Sequence, residues 1–596
     1  MSTKLASSAD VADKKFDFVI IGGGTAGLAL ANKLSENKNV TVAVLEAGKA
    51  HLNDPLILNV NLWPFQMVQE EYNWMFTTVP QSKAANGQIL WSRGKGLGGS
   101  TTMNLLMWTR PHREDIETIG RLGNPGWSWN RFYEYSKKTE RYVPTEPVEP
   151  VPFKGVYKPQ SVGHNGPIPI SFAPTSSNAE LPFQKSMQKS GFDVPSDTFS
   201  GEIAGTWKVP SIVDPETGHR SYSANGYLLP VIDRPNLKVL TEAYVTRVIT
   251  SKKGDKVVAE SVEFDYGEKI YKVNVGKEAI LSAGTIKSPQ ILELSGIGDR
   301  KVLEKLGVAV QNHLPSVGEN VGDKITAQVI VEMTAESNVV SSNLLADPAF
   351  HAKLRESLPG LKGDFPLLTT GVTFMPLQKF SNRADEIIAG LRSRISKATP
   401  ELKEALEAQL RLLENDTVPD IEVITTPFIL EPPVKDKAYI LFALCLCHPF
   451  SRGSIHAKSV NAKDSPAIDP QYFTEPADLE ILLDAVKFVR KVDEVPPFKD
   501  VVAREILPGP NVVTDDQMRE TIKKNLATIW HTNGSLSMLP EGKGGAVDSK
   551  LKLYGTTNIR VVDMSVFPLP IGAHPQSAVY ALAEQAGDVI KEEYKL

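Results

Sequence analysis

An α/β fold with a Rossmann-like unit at its start is predicted by three stretches of this sequence. Residues 16–21 (FDFVII) are apolar apart from Asp17 and read as a buried strand. Gly22, Gly24 and Gly27 follow in the G-x-G-x-x-G order, then a helical stretch over 26–35 and a second strand over 40–45 ending in Glu46. These glycines permit a tight turn, close approach of a pyrophosphate to a helix N-terminus, and close packing of helix on strand. Glu46 follows at roughly the 20-residue spacing where an acid holds both hydroxyls of an adenosine ribose, which disfavours a 2′-phosphate and hence NADP.

The second stretch is the glycine-dense loop 93–104 (RGKGLGGSTTMN), where Gly98 and Gly99 lead into small hydroxyls and an amide. Such a loop brings backbone N–H groups close to a flat or anionic ligand. The third is 284–298 (GTIKSPQILELSGIG), placed after an apolar segment 279–281 and alternating strands that turn near Gly267. A C-terminal set completes the pattern: WHTNGS at 530–535, NIRVVD at 558–563 and GAHPQ at 572–576.

Together these motifs resemble the glucose–methanol–choline (GMC) family of FAD oxidoreductases, in its fungal glucose oxidase and aryl-alcohol oxidase-like branch. Both family signature patterns are met, and the resemblance runs from about Asp17 to the C-terminus. It implies a Rossmann-like FAD-binding domain built from discontinuous segments (14–143, 206–325 and 521–596). It also implies an α+β substrate domain (144–205 and 326–520) whose sheet roofs the flavin. Carried over position by position, Gly22, Gly24, Thr25, Ala26, Gly27 and Glu46 hold the adenosine and pyrophosphate. Gly98, Gly99, Ser100, Asn104, Leu105 and Met107 lie along the flavin and its pyrophosphate. Val245 meets the adenine through its backbone, and Trp530, Asp563, Pro575 and Gln576 line the ribityl chain and the flavin's polar edge. Relatives that attach FAD covalently use a histidine just before the Asn104 position. Met103 stands there, so noncovalent FAD is expected.

Hydride leaves an alcohol carbon readily only when the hydroxyl proton is removed, and imidazole is a natural base because its pKa lies near working pH. His531 occupies the position of the family's catalytic histidine and His574 that of its partner. The resemblance therefore implies oxidation of a small-molecule alcohol, with electrons passing to O2 or a quinone-type acceptor. The alternative is a lyase or cyclase of the same family, in which the two histidines do acid–base chemistry without net oxidation. Sugar-oxidising relatives carry an arginine four residues before the catalytic histidine. Ala527 stands there, which removes a donor to sugar hydroxyls and argues against glucose. Trp530 suits stacking on an aryl or furan ring, although the tyrosine of aryl-alcohol oxidases near the flavin loop is replaced by Leu105. A primary aromatic or apolar alcohol is the expected substrate.

Composition sets the limits. At 596 residues the chain exceeds one ordinary core, and 41% hydrophobic with 23% charged residues is the balance of a globular protein. A net charge of −5 gives no reason to expect a nucleic-acid partner. No apolar run approaches the ~20 residues of a membrane helix, and residues 1–15 lack the apolar core of a secretory signal, so a cytoplasmic protein without a membrane partner is expected. The two cysteines, Cys445 and Cys447, are spaced i, i+2 in an apolar strand and are expected to be buried thiols, with no disulfide or metal site. His448 and His456 lack catalytic context and read as structural. The stretch 144–205, rich in Pro, Ser and Gly, reads as extended surface chain, and 384–414 as a solvated helical face. The aromatics Trp63, Phe65, Tyr72, Trp74 and Phe76 are expected mainly in the core, in a region that forms a lid in the family. The Asn415 sequon would matter only in a secreted protein, whereas Asn533 is expected inside the site.

Overall fold

The computed structural model describes residues 5–145, 155–174, 178, 180–339, 341, 348–349, 352, 369–427 and 437–596. Its centre is a sheet in which Lys15–Ile21 lies between Val42–Leu45 and the C-terminal half of Lys269–Leu281, all parallel. Leu237–Leu240 extends the parallel part beyond Val42–Leu45. Parallel strands are covered on both faces, which explains why 16–21 is nearly all apolar rather than alternating. The long strand Lys269–Leu281 changes partner along its free edge. Its first half pairs antiparallel with Lys256–Tyr266 through the turn at Gly267, and its last residues pair parallel with Ile559–Val561. The C-terminal strand is thereby placed one strand away from the end of Lys15–Ile21, where the first glycine turn begins.

Helix Thr25–Leu34 packs against the sheet and against the last helix, Gln576–Tyr594. Close packing has a specific cause at Gly27, where a Cβ would lie 2.0 Å from the carbonyl oxygen of Gly22. Gly22 itself has φ +105°, a backbone state that L side chains rarely adopt.

A second sheet is wholly antiparallel, ordered Val502–Leu507, Ile325–Met333, Tyr439–Leu446, Ile421–Thr426, Gly371–Met375 and Gly205–Lys208, with Ala527–Thr528 also paired to Ile325–Met333. Residues 206–208 and Ala527–Thr528 thus belong to segments that sequence grouped with the cofactor half. Alternation along these strands divides two environments. Ile421 and Val423 join a core with helices Pro476–Val492 and Ala384–Ile395, while Ile424 joins a cluster with Met107, Trp207 and Cys445 on the other face.

Three local expectations meet different outcomes. Much of 144–205 is not surface chain: helix Glu180–Lys189 buries Phe183 and Met187 against Phe442 and Phe498, and Ile168–Ile170 is a buried strand. Local Pro and Ser content hid apolar residues spaced for one helix face. Residues 146–154 of that stretch lie outside the described residues. The 384–414 stretch is two helices, Ala384–Ile395 and Pro400–Leu413, broken before a proline at N1. Their Arg and Glu residues face outward and Ile387, Leu391 and Leu413 face the core. Cys445 and Cys447 are free, buried thiols, and burial pushes both well above the ordinary thiol pKa. Among the described residues no helix is long and apolar enough to cross a membrane, and no group of His, Cys, Asp and Glu could hold a metal ion.

Candidate active site and cofactor cavity

Between the two sheets lies a cavity with about 1980 Å³ of empty space, its open mouth included. Gly22, Gly24, Thr25, Ala26, Glu46, Gly99, Ser100, Asn104, Leu105, Met107, Val245, Trp530, His531, Asp563, His574, Pro575 and Gln576 all line it. The structure therefore brings together residues that span more than 550 positions of chain. Gly27 and Gly98 stand behind the wall instead. Gly27 is needed for helix-on-strand contact, and at Gly98 a Cβ would meet Tyr222 and Thr102 at 2.7 and 2.8 Å with φ at +106°.

At one end, backbone makes the wall. The Glu46 carboxylate accepts from the N–H groups of Gly23 (2.8 Å), Gly48 (2.9 Å) and Gly96 (3.2 Å), tying both glycine loops to the end of the second strand. Burial pushes its pKa up, and the three N–H donors pull it back down. Gly99 approaches Gly24 so closely that a Cβ on Gly99 would lie 2.8 Å from the Gly24 Cα. Thr25 opens a helix whose free N–H groups suit an anion. Asp563 draws the far side together, accepting from the Gly284 N–H (3.0 Å) and the Ser288 hydroxyl (2.6 Å).

The flavin-loop residues are held from behind. Asn104 donates to Gln576 Oε1 at 2.6 Å, and the buried Arg220 donates to the Asn104 carbonyl and side-chain oxygens at 2.8 and 2.7 Å. Burial lowers the Arg220 pKa to about 9. Sequence reasoning missed this arginine, because no motif surrounds it. Gln576 lines the cavity wall, and its Nε2 is a buried donor with no protein partner. Among the described residues, a cavity lined by glycine cradles, a helix N-terminus and a residue with an orphaned amide donor fits a dinucleotide with polar edges.

At the other end, side chains make the wall. The rings of His531 and His574 stand edge to face with centroids 4.9 Å apart. His574 Nε2 lies 2.9 Å from Glu422 Oε1, and its backbone N–H donates to Thr109 Oγ1 at 2.8 Å. Glu422 is wholly buried on strand Ile421–Thr426, and its second oxygen has no partner. With the Glu422 oxygen as acceptor, the ring donates from Nε2, and this contact fixes its orientation. Sequence also missed Glu422. Alternation with Ile421 and Val423 was the available signal, but nothing local pairs an acid there with His574.

His531 is held by its loop. Trp530 adopts φ +60° and donates from its indole N–H to the Leu90 carbonyl at 3.0 Å. Asp323 accepts from Thr528 (2.7 Å), Thr532 (2.9 Å) and the Tyr472 hydroxyl (2.5 Å), so one buried carboxylate clamps both flanks of 530–531. Arg93 donates to Thr532 at 2.7 Å. His531 is partly exposed and lines the cavity. Burial first, then His574, Lys324 and Arg93, hold its pKa well below the ordinary imidazole value. The ring is therefore neutral across ordinary pH and able to take a proton. Its Nδ1 has no protein partner. Met107, Ile424 and the packed Ile529 present one apolar cluster beside the histidines.

The other singled-out histidines have structural partners. His448 bonds Asp115 at 2.8 Å, and His456 bridges Glu293 and Glu319 at 2.6 and 3.1 Å, which raises its pKa to about 10. Trp63, Tyr72 and Phe76 are buried, and Trp74 and Phe76 also face the cavity. Asn533 is fully buried and donates to the Phe567 carbonyl at 2.9 Å.

Comparison with known proteins agrees with this geometry. The N-terminal GMC oxidoreductase family profile matches residues 16–326 and the C-terminal one residues 449–583. The chain is 34% identical over 601 residues to GMC oxidoreductase family protein Mala s 12 of Malassezia sympodialis, covering 98% of this chain and 93% of that protein. Among solved structures it is similar to an FAD-dependent oxidoreductase from Chaetomium thermophilum (27% identity, TM-score 0.88, 98% of this chain and 100% of that one). It is also similar to a fungal aryl-alcohol oxidase (26% identity, TM-score 0.86, 98% and 99%). Family and cavity agree on FAD as the cofactor. A glycine cradle closed by Glu46, and a histidine pair at the far end of one cavity, are thus parts of a GMC oxidoreductase, the family to which this chain belongs.

Proposed function

We propose that this protein oxidises a primary aromatic or otherwise apolar alcohol to its aldehyde, with His531 as the base that removes the hydroxyl proton. The observation that carries this reading is the paired, oriented histidines set beside an apolar cluster in the cavity wall. Bound FAD supplies a two-electron acceptor for the hydride. His531 is neutral because burial and nearby cations disfavour its protonated form, so it can accept the proton as alkoxide character develops. His574, fixed by Glu422, orients the hydroxyl and steadies the growing negative charge. Lys324 and Arg93 lie close enough to lower the His531 pKa, and they favour negative charge on the substrate oxygen for the same reason.

Met107, Ile424 and Ile529 leave the ring of an aromatic alcohol in hydrocarbon surroundings. Ala527, where sugar-oxidising relatives carry an arginine, offers no donor to a polyol. The neighbouring solved structure described as an aryl-alcohol oxidase is consistent with that class. O2 or a quinone-type compound would then take the electrons.

Anaerobic mixing of the purified holoenzyme with benzylic, furanic, aliphatic and sugar alcohols tests the proposal. Flavin bleaching by benzylic or furanic alcohols is expected, with little response to sugars. Product formed without bleaching would replace the proposal with acid–base chemistry lacking net oxidation.

A further inference from the structure

Lys287 lies in the first turn of helix Gly284–Leu294, faces the cavity, and has no part in the chemistry described above. Its ammonium donates to Gln290 Oε1 at 2.7 Å and to the Ala462 carbonyl at 2.9 Å. Three aromatic rings surround the same nitrogen, with centroids at 5.2 Å (Tyr244), 5.5 Å (Trp74) and 6.0 Å (Phe76). The Tyr244 hydroxyl shares the Ala462 carbonyl at 2.7 Å, and Lys95 approaches the Trp74 ring at 5.3 Å. All three cage rings line the cavity.

Burying an amine in this way is costly, and cation–π contacts recover only part of that cost. Burial lowers the Lys287 pKa to about 7, with Asp464 the charge that opposes the shift. An apolar side chain at this helix position would pack with no such cost, so packing does not account for the lysine. Two donors are engaged among the described residues, and the protonated form, an ammonium with three, has one N–H left. The location is set by Tyr244. It stands between Ala243, whose N–H donates to the Glu46 carbonyl at 2.9 Å, and Val245 in the cavity wall. The cage is therefore at the Glu46 end, away from the histidines.

We propose that Lys287, in its cage of Trp74, Phe76 and Tyr244, recognises the adenylate half of the cofactor, giving its remaining N–H to an acceptor on that half while the rings wall the purine. The proposal rests on the assignment of FAD to this cavity. It separates two tasks: Glu46 and the glycine loops fix the ribose and pyrophosphate, and Lys287 selects what is attached to them.

FAD release from holoenzyme, followed by the recovery of flavin fluorescence on dilution, reads the contact directly. Lys287→Met should release FAD about tenfold faster than wild type, the effect of losing one charge-assisted hydrogen bond, and Lys287→Arg should recover part of the difference. Wild-type protein stripped of flavin gives a reading that needs no variant. Trinitrobenzenesulfonate should label Lys287 there, ADP should block the labelling, and FMN, which lacks the adenylate, should not. Equal FAD release by Lys287→Met and wild type would overturn the proposal, as would failure of ADP to shield Lys287. A wild-type protein that binds no FAD would overturn the cofactor assignment itself.

Discussion

At the Glu46 end of the cavity the wall is backbone: Gly22, Gly24 and Gly99 present bare peptide, and the Glu46 carboxylate clasps three N–H groups. At the His531 end it is side chains drawn from separate segments, with Glu422 from the second sheet holding His574, and Asp323 holding the His531 loop. The first end works by letting a ligand approach closely, and its tolerances are steric. The second works by aiming protons, and its tolerances are electrostatic. Perturbations should therefore fail differently at the two ends, one through cofactor retention and the other through rate.

The largest expected effect is at the side-chain end. His531→Ala should retain yellow, bound FAD and lose roughly 10²–10⁴-fold in the rate of anaerobic flavin reduction by substrate. Near wild-type reduction would show that the base lies elsewhere. Glu422→Leu follows, with a loss of about 10–100-fold in the same rate at unchanged FAD content, because His574 loses the hydrogen-bond partner that orients its ring. An unchanged rate would make Glu422 a structural acid only.

The backbone end should respond in the opposite manner. Gly27→Ala places a methyl group 2.0 Å from the Gly22 carbonyl, so strand and helix must part, at a cost of about 1–3 kcal/mol. Lower FAD occupancy and a lower Tm are expected, with near-normal turnover per bound flavin. Reduced turnover per flavin at full occupancy would blur the division between the two ends.

A smaller effect concerns pH. The folded-state pKa of His531 lies below the ordinary 6.5, and the base works while neutral, so activity should persist as pH falls through 6.5 and be lost only lower. A kcat/KM profile with its acid limb at or above 6.5 would contradict the enclosed, cation-flanked environment. The smallest test is chemical. With Met103 before Asn104, acid precipitation should leave all FAD in the supernatant; flavin pelleting with the protein would show a covalent link through another residue.

The same contrast separates what is legible in the sequence from what is not. The first βαβ unit was legible because strand, glycine turn, helix and acid are contiguous and each obeys a local rule. The observed Lys15–Ile21, Thr25–Leu34 and Val42–Leu45 lie within a residue or two of the expected bounds. Helix Glu180–Lys189 was not legible, since its apolar face gains meaning only from Phe442 and Phe498, far away in sequence. Arg220, Asp323 and Glu422 escaped for a related reason. Each is an isolated polar residue whose partners lie about 100 or more positions away.

By itself the sequence determined the dinucleotide-binding start, because short-range sterics and hydrogen bonding write glycine turns into contiguous residues, and its resemblance to a known family pointed to the two histidines. Tertiary structure alone decided that His531 and His574 meet at 4.9 Å, that a buried glutamate aims one of them, and that three rings enclose Lys287. Those contacts depend on how two sheets close over a cavity, and electrostatics inside such a cavity is set by neighbours in space rather than along the chain.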